Sequence, residues 1–258
     1  MAHAAYSSGL EIPRIRLRPL DRPRAWLAAG WRDLRSAPQV SLTYGLIFAL
    51  MGAVLTLGLA STHLLPWLVP VAFSFVLLGP ILAVGLYDVS RRLRLGRHPT
   101  LGSALGAWSV NRSQISFMGI TLLVFLLTWL LVANLIFALF YRHAISNWQG
   151  FYSEVFLSGG NLLFLAIGGT VGAVFAALVF SFTAISIPML LDRETDVVTA
   201  IVTSVRAVQQ NPGLMAIWAG LILGLTTIGL LTAYLGLVIT LPLIGHASWH
   251  AYQDLVEH

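Results

Sequence analysis

The chain has 258 residues, of which 57% are hydrophobic and only 10% charged. A soluble domain carries roughly 25% charged residues, so composition alone excludes a soluble globular protein of this size. The net charge is +5 with no lysine and no cysteine; the arginines cluster at the ends of apolar segments, which suits a membrane rather than a nucleic acid. The lack of cysteine excludes disulfides, thiolate metal sites and a catalytic thiol, and leaves the redox compartment open.

In chain order, residues 1–23 read as a flexible Arg/Pro-rich cytoplasmic terminus. Residues 1–39 hold seven arginines and no long apolar run, unlike a signal peptide, so the first hydrophobic segment is expected to anchor and stay. Residues 24–35 form an amphipathic helix. Trp26, Leu27, Trp31 and Leu34 are expected to face apolar tails while Arg24, Arg32 and Arg35 face headgroups.

The segments 36–87, 113–141, 155–191 and 207–253 contain no charged residue. A helix crosses the hydrocarbon in about 20 residues, which places six transmembrane helices at 40–60, 66–87, 115–140, 161–191, 213–231 and 233–249. The last two are short, and a buried re-entrant hairpin is the alternative there. Fourteen arginines then fall on one side and Arg142 alone on the other, so both termini are expected in the cytoplasm. Trp148, Phe151 and Tyr152 in the longest outer loop read as an aromatic belt. Trp26, Trp31, Trp108 and Trp249 are read as interfacial anchors.

The expected fold is therefore an all-α integral membrane protein: one six-helix domain over residues 24–258, with interfacial amphipathic helices. It reads as a three-fold internal repeat of two spans each, in units of about 24–96, 97–195 and 196–258. Each unit opens with a short amphipathic helix and a polar break, at Pro38, near Asn111 and at Asn211-Pro212. Arg32 and Arg206 both stand six residues before the proline. Each second span carries one proline: Pro80, Pro188 and Pro242. A two-span repeat preserves orientation, so the units are parallel, unlike inverted-repeat transporters.

Several of these segments carry a resemblance. Residues 30–38 (GWRDLRSAP), 79–92 (GPILAVGLYDVSRR), 188–196 (PMLLDRETD), 204–208 (SVRAV) and 245–252 (GHASWHAY) together resemble a proteobacterial family of integral membrane proteins classed only as a domain of unknown function. That resemblance implies a membrane fold and brings no activity, cofactor or catalytic residue with it. The repeat unit is also similar to the membrane region attached to some glycerophosphodiester phosphodiesterases. These residues hold no phosphodiesterase domain, so that activity is not carried over.

Chemistry-bearing residues are sparse. Two histidines at i and i+4, His246 and His250, with Asp254 one turn on, are candidate metal ligands. The glutamate a metalloprotease needs after the first histidine is replaced by Ala247. Two histidines on one helix also approach a haem from the same side, which argues against axial ligation. The expectation is no metal and no cofactor, with an interfacial polar helix end as the plainer account.

Asp88, Arg91 and Arg92 end the second span, and Asp192, Arg193, Glu194 and Asp196 the fourth. They read as helix-end charge pairs at the headgroups, or else as a gate or docking surface. Asn134 is an amide in hydrocarbon that must find a partner. Gly168/Gly172 and Gly220/Gly224 fit small-xxx-small helix packing. Arg32 and Arg206 are candidate anionic headgroup ligands.

The function expected is non-enzymatic: organising lipid or assisting a membrane complex in the bacterial inner membrane. Its partners would be anionic lipids, and a membrane protein or a second copy. The alternative is a transporter or channel for a small or lipid-like substrate.

Overall fold

The computed structural model describes residues 12–62, 64, 67–140 and 162–257, so the aromatic loop near Trp148 and Arg142 lie outside the described residues. All regular structure among them is helical: α1 (Arg22–Ser36), α2 (Pro38–Ser61), α3 (Leu68–Leu82), α4 (Val84–Arg94), α5 (Leu101–Leu105), α6 (Arg112–Phe140), α7 (Leu162–Thr183), α8 (Ser186–Asp192), α9 (Val197–Gln210), α10 (Pro212–Leu231) and α11 (Leu237–Leu255). Five stretches are long and apolar enough to cross a membrane: Pro38–Ser61, Leu68–Arg94, Arg112–Phe140, Leu162–Asp192 and Pro212–Leu231. Helix α11 is not among them, because its second half is polar.

Proline explains the local geometry. Pro38 and Pro212 sit at the first turn of α2 and α10, where a missing N–H costs nothing. The residue before each has nearly the same conformation, Ala37 at φ −135°, ψ 58° and Asn211 at φ −126°, ψ 51°. Both joints keep the helical hydrogen bonds on either side: Ala37 N–H to Asp33 and Ser41 N–H to Ala37, then Asn211 N–H to Ala207 and Met215 N–H to Asn211. The chain bends there without losing its backbone partners. Within the second and fourth membrane stretches, a break falls near the proline: Ala83 separates α3 from α4 after Pro80, and Ala184–Ile185 separates α7 from α8 before Pro188. Pro242 lies inside α11 without breaking it.

Helix α11 is the hub. It packs on α1, α2, α10 and α4, and runs antiparallel to α2. His246 meets Ser41 near the start of α2, while Tyr234, just before α11, hydrogen-bonds Thr56 near its end. Glycine permits this closeness. A Cβ on Gly45 would lie 2.5 Å from the Val238 carbonyl oxygen, and one on Gly30 of α1 would lie 2.7 Å from the Ala247 nitrogen. Tyr234 takes up a left-handed conformation, φ 69°, with its ring over Gly52, where a Cβ would sit 2.6 Å away.

Several sequence expectations change here. The apolar face of α1 meets protein rather than lipid: Trp26 is 2% and Leu34 5% exposed, and Trp26 packs edge-on against Trp218 of α10. Trp249 is fully buried as well. Neither Trp26 nor Trp249 is therefore an interfacial anchor, whereas Trp31 and Trp108 are exposed. Nor do residues 12–20 form a flexible tail. Arg16 N–H donates to the Leu255 carbonyl and Glu257 N–H to that of Arg14, so the segment is strapped along the end of α11. Of the small-xxx-small glycines, Gly172 packs against Trp129 of α6 and Phe73 of α3, whereas a Cβ on Gly168, Gly220 or Gly224 would meet nothing within 4 Å in this chain.

Gly45→Ala and Gly30→Ala should each force α11 off its neighbour, at a cost of about 1–3 kcal/mol for overpacking. Gly58→Ala, with open space around it, should be neutral or slightly stabilising. Denaturant unfolding in mild detergent checks this; equal stability of all three variants would contradict the close approach.

Candidate functional site

The polar residues converge at the arginine-rich end of the bundle, around the second half of α11. Three groups can be traced there. The first is a chain through the core. His246 has no exposed surface, nor does Ser41. Its Nε2 lies 2.9 Å from Ser41 Oγ and its Nδ1 lies 2.8 Å from Ser90 Oγ. Next along α11, His250 Nε2–H donates to Asp33 Oδ2 at 2.8 Å. Ser41–His246–Ser90 thus joins α2, α11 and α4, and His250–Asp33 ties α11 to α1.

The second group joins the ends of α4, α8 and α11. Asp88 is fully buried and pairs within α4 with Arg92 (2.5 Å) and Arg91 (3.6 Å), so it is a core residue rather than a headgroup contact. Asp192 faces Arg91 and Arg94 at 3.7 and 3.8 Å and accepts hydrogen bonds from Tyr252 Oη and Gln253 Nε2, each at 3.0 Å. Arg193 donates to Tyr252 Oη and to the Glu257 carbonyl. The two charge clusters that sequence places at separate span ends are therefore one network, closed by α11. Asp196 stands apart from it, capping α9 through the Val198 and Thr199 N–H groups.

The third group is centred on Asp254. It takes an ion pair from Arg18 at 3.0 Å and from Arg22 at 2.7 Å, and a hydrogen bond from Trp26 Nε1 at 3.0 Å. Asn211 holds the strap alongside, accepting from Arg18 N–H and donating to the Arg16 carbonyl. Burial works against the Asp254 carboxylate, but the hydrogen bonds from Arg22 and Trp26 and the Arg22 and Arg18 charges outweigh it and hold its pKa below the ordinary value. At Asp33 burial likewise opposes the charge, and the hydrogen bonds from His250 and Ser90 outweigh it.

Chemically, this region locks helices together. His246, His250 and Asp254 do not converge: Asp33, not Asp254, orients His250, and each of the three has other partners. Among the described residues no group of three or more His, Asp or Glu is arranged to hold a metal ion. Ser41 and His246 have the spacing of a nucleophile and its base, yet both are sealed from substrate. Sequence reasoning missed Ser41, Ser90, Asp33, Tyr252 and Gln253, since single polar residues at helix ends carry no pattern. Arg32 and Arg206 both project outward, exposed and with no ionic or hydrogen-bonding side-chain partner among the described residues.

Acid should loosen this end. Asp33 and Asp254 have pKa values lowered on folding, so their stabilisation is complete above the unfolded value of about 4 and is lost as pH falls through their lower folded values. The unfolding midpoint in detergent should therefore drop below about pH 4. Asp254→Asn should cost roughly 1.5–3 kcal/mol at neutral pH and flatten the acid response. An unchanged acid profile in that variant would contradict the assignment.

Residues 68–192, just under half of the chain, match a family model described as a predicted integral membrane protein (DUF2189). The match runs from α3 through α8, covering the 79–92 segment and the start of 188–196, and leaves α1, α2 and α9–α11 outside it. No curated protein matches the chain, and no solved structure does. What the match supports is an integral membrane protein.

Proposed function

We propose that this protein is a non-enzymatic, six-span protein of the bacterial inner membrane, with both termini cytoplasmic, that organises anionic lipid at its arginine-rich face. The observation that carries the reading is the state of the charges there. Asp33, Asp88, Asp192 and Asp254 are consumed by internal partners. Arg24, Arg32, Arg35 and Arg206 are exposed with no acidic partner among the described residues, and Arg35 stacks over exposed Trp31. The exposed arginines outnumber the exposed acids there, Asp21 and Glu194, and a guanidinium grips phosphate with two parallel hydrogen bonds.

Arg32 and Arg206 hold matching places, six residues before the prolines that open α2 and α10. The matching joints support the repeat, and so does the packing of its opening helices. Each lays a small buried residue against the second span of another unit: Gly30 on α11, Ala104 of α5 on Gly85 of α4, and Ser204 of α9 on the Ile185 N–H at the α7–α8 break. The sixth span is supported by α11 itself. It lies antiparallel along α2, from His246 beside Ser41 to Tyr234 beside Thr56, and α2 is long and apolar enough to cross a membrane.

A juxtamembrane arginine gains about 1 kcal/mol from an anionic surface, so Arg32→Gln with Arg206→Gln should weaken headgroup retention by about 2 kcal/mol, roughly thirtyfold. The measurement is the anionic lipid co-purified from mild detergent, with thermal unfolding alongside. Loss of lipid with the fold retained is expected. Full lipid content would sink the lipid reading, and lower stability with lipid unchanged would point to helix capping instead.

Topology is tested separately. Reporters fused after residues 62, 150 and 232 should read as outside and those after 98 and 258 as inside. A C-terminal reporter outside the cytoplasm would remove the sixth span.

A further inference from the structure

A second site lies at the other end of the bundle. The start of α3, the second half of α6 and the first half of α7 enclose a cavity of about 380 Å³. This is the size of a small-molecule pocket, roughly 300–1,000 Å³. Its walls are almost wholly apolar, with Phe73 and Trp129 in ring contact at 4.3 Å between centroids. The glycines of α7 create the space. Gly168, Gly169 and Gly172 line the cavity, and a Cβ on either of the first two would meet nothing within 4 Å. Gly168, which sequence assigns to helix packing, hollows out a wall instead.

Trp129 presents ring carbon to this cavity, 3.4 Å from where a Cβ on Gly172 would lie, and its indole N–H is sealed away from it. The Asn134 amide, also on the wall, makes no hydrogen bond among the described residues. Leaving a donor unpaired in hydrocarbon is costly, and a dry apolar cavity attracts an apolar guest rather than water. From this pairing of an apolar hollow with one unpartnered amide on its wall we infer that the cavity binds a hydrocarbon tail whose carbonyl accepts a hydrogen bond from Asn134. An acyl ester of a membrane lipid and an isoprenoid quinone both present that chemistry. This inference is independent of the arginine reading, being built on other helices at the opposite end.

The test is photolabelling of the full chain in lipid nanodiscs. Two probes are used: a phosphatidylglycerol carrying a diazirine on its acyl chain, and a diazirine-bearing isoprenoid quinone. Gly168→Leu plugs the cavity, Asn134→Leu keeps the bulk and removes the amide, and Gly220→Leu is an open-space control on α10. One probe should label the peptides spanning 129–137 and 164–173 in the wild type and in Gly220→Leu. Labelling should be lost in Gly168→Leu and weakened roughly two- to tenfold in Asn134→Leu, the range for one neutral hydrogen bond. Which probe labels identifies the tail. Equal thermal unfolding of Gly168→Leu and Gly220→Leu shows that the plug has not unfolded the chain; should the plugged variant unfold, excess unlabelled phosphatidylglycerol or quinone competing with its own probe takes its place. No labelling of these peptides by either probe, or labelling that survives both the plug and competition, overturns the proposal.

Discussion

Within a bilayer an apolar side chain gains nothing by leaving lipid for another apolar side chain, so helices are held by close backbone packing and by polar groups that lipid cannot satisfy. Helix α11 supplies both. Its backbone lies against Gly45 of α2 and Gly30 of α1. Its polar half fills the arginine-rich end with His246, His250, Tyr252, Gln253 and Asp254, each engaged by a residue of another helix. The strap at residues 12–20 and the ends of α4 and α8 meet α11 through those contacts. Removing the hub would take His250 from Asp33, Tyr252 and Gln253 from Asp192, and Asp254 from Arg22.

Much of this architecture was legible in the sequence, because hydropathy over some twenty residues reports directly on the solvent a helix can tolerate. The span expected at 115–140 is α6 at 112–140, and that expected at 213–231 is α10 at 212–231. Pro38 and Pro212 marked real helix starts. What sequence could not tell is which apolar surface meets protein and which meets lipid, since both are equally apolar. Trp26 and Trp31 are five residues apart on one helix; the first is sealed against Trp218, the second is exposed. The same blindness hid the glycines. Gly45 touches backbone while Gly168 borders empty space, and nothing in either local pattern separates them. The histidines gave the most misleading signal, because their spacing fits a metal and their true partners come from three other helices.

The two ends of the molecule differ in how their helices meet. At the arginine-rich end polar side chains of α1, α2, α4, α8 and α11 bond one another, although Asp88 Oδ1, Arg91 Nε and the Trp249 N–H are buried without a hydrogen bond among the described residues, and the joints at Ala37 and Asn211 keep the backbone bonded through the bend. At the far end the helices stand apart around a cavity. The bonded end positions the exposed arginines, while the hollow end leaves room for a guest. This division follows from where the glycines touch neighbours and where they do not.

The central claim is that buried polar connectivity through α11 holds the bundle, and His246 tests it most directly. His246→Leu alone strands two buried hydroxyls, each costing about 1–3 kcal/mol. Adding Ser41→Ala and Ser90→Ala removes the stranded groups. Denaturant unfolding of the single and triple variants should show a marked loss for His246→Leu and substantial recovery in the triple, as expected of coupled sites. A single variant as stable as the wild type, or losses that simply add, would contradict the account.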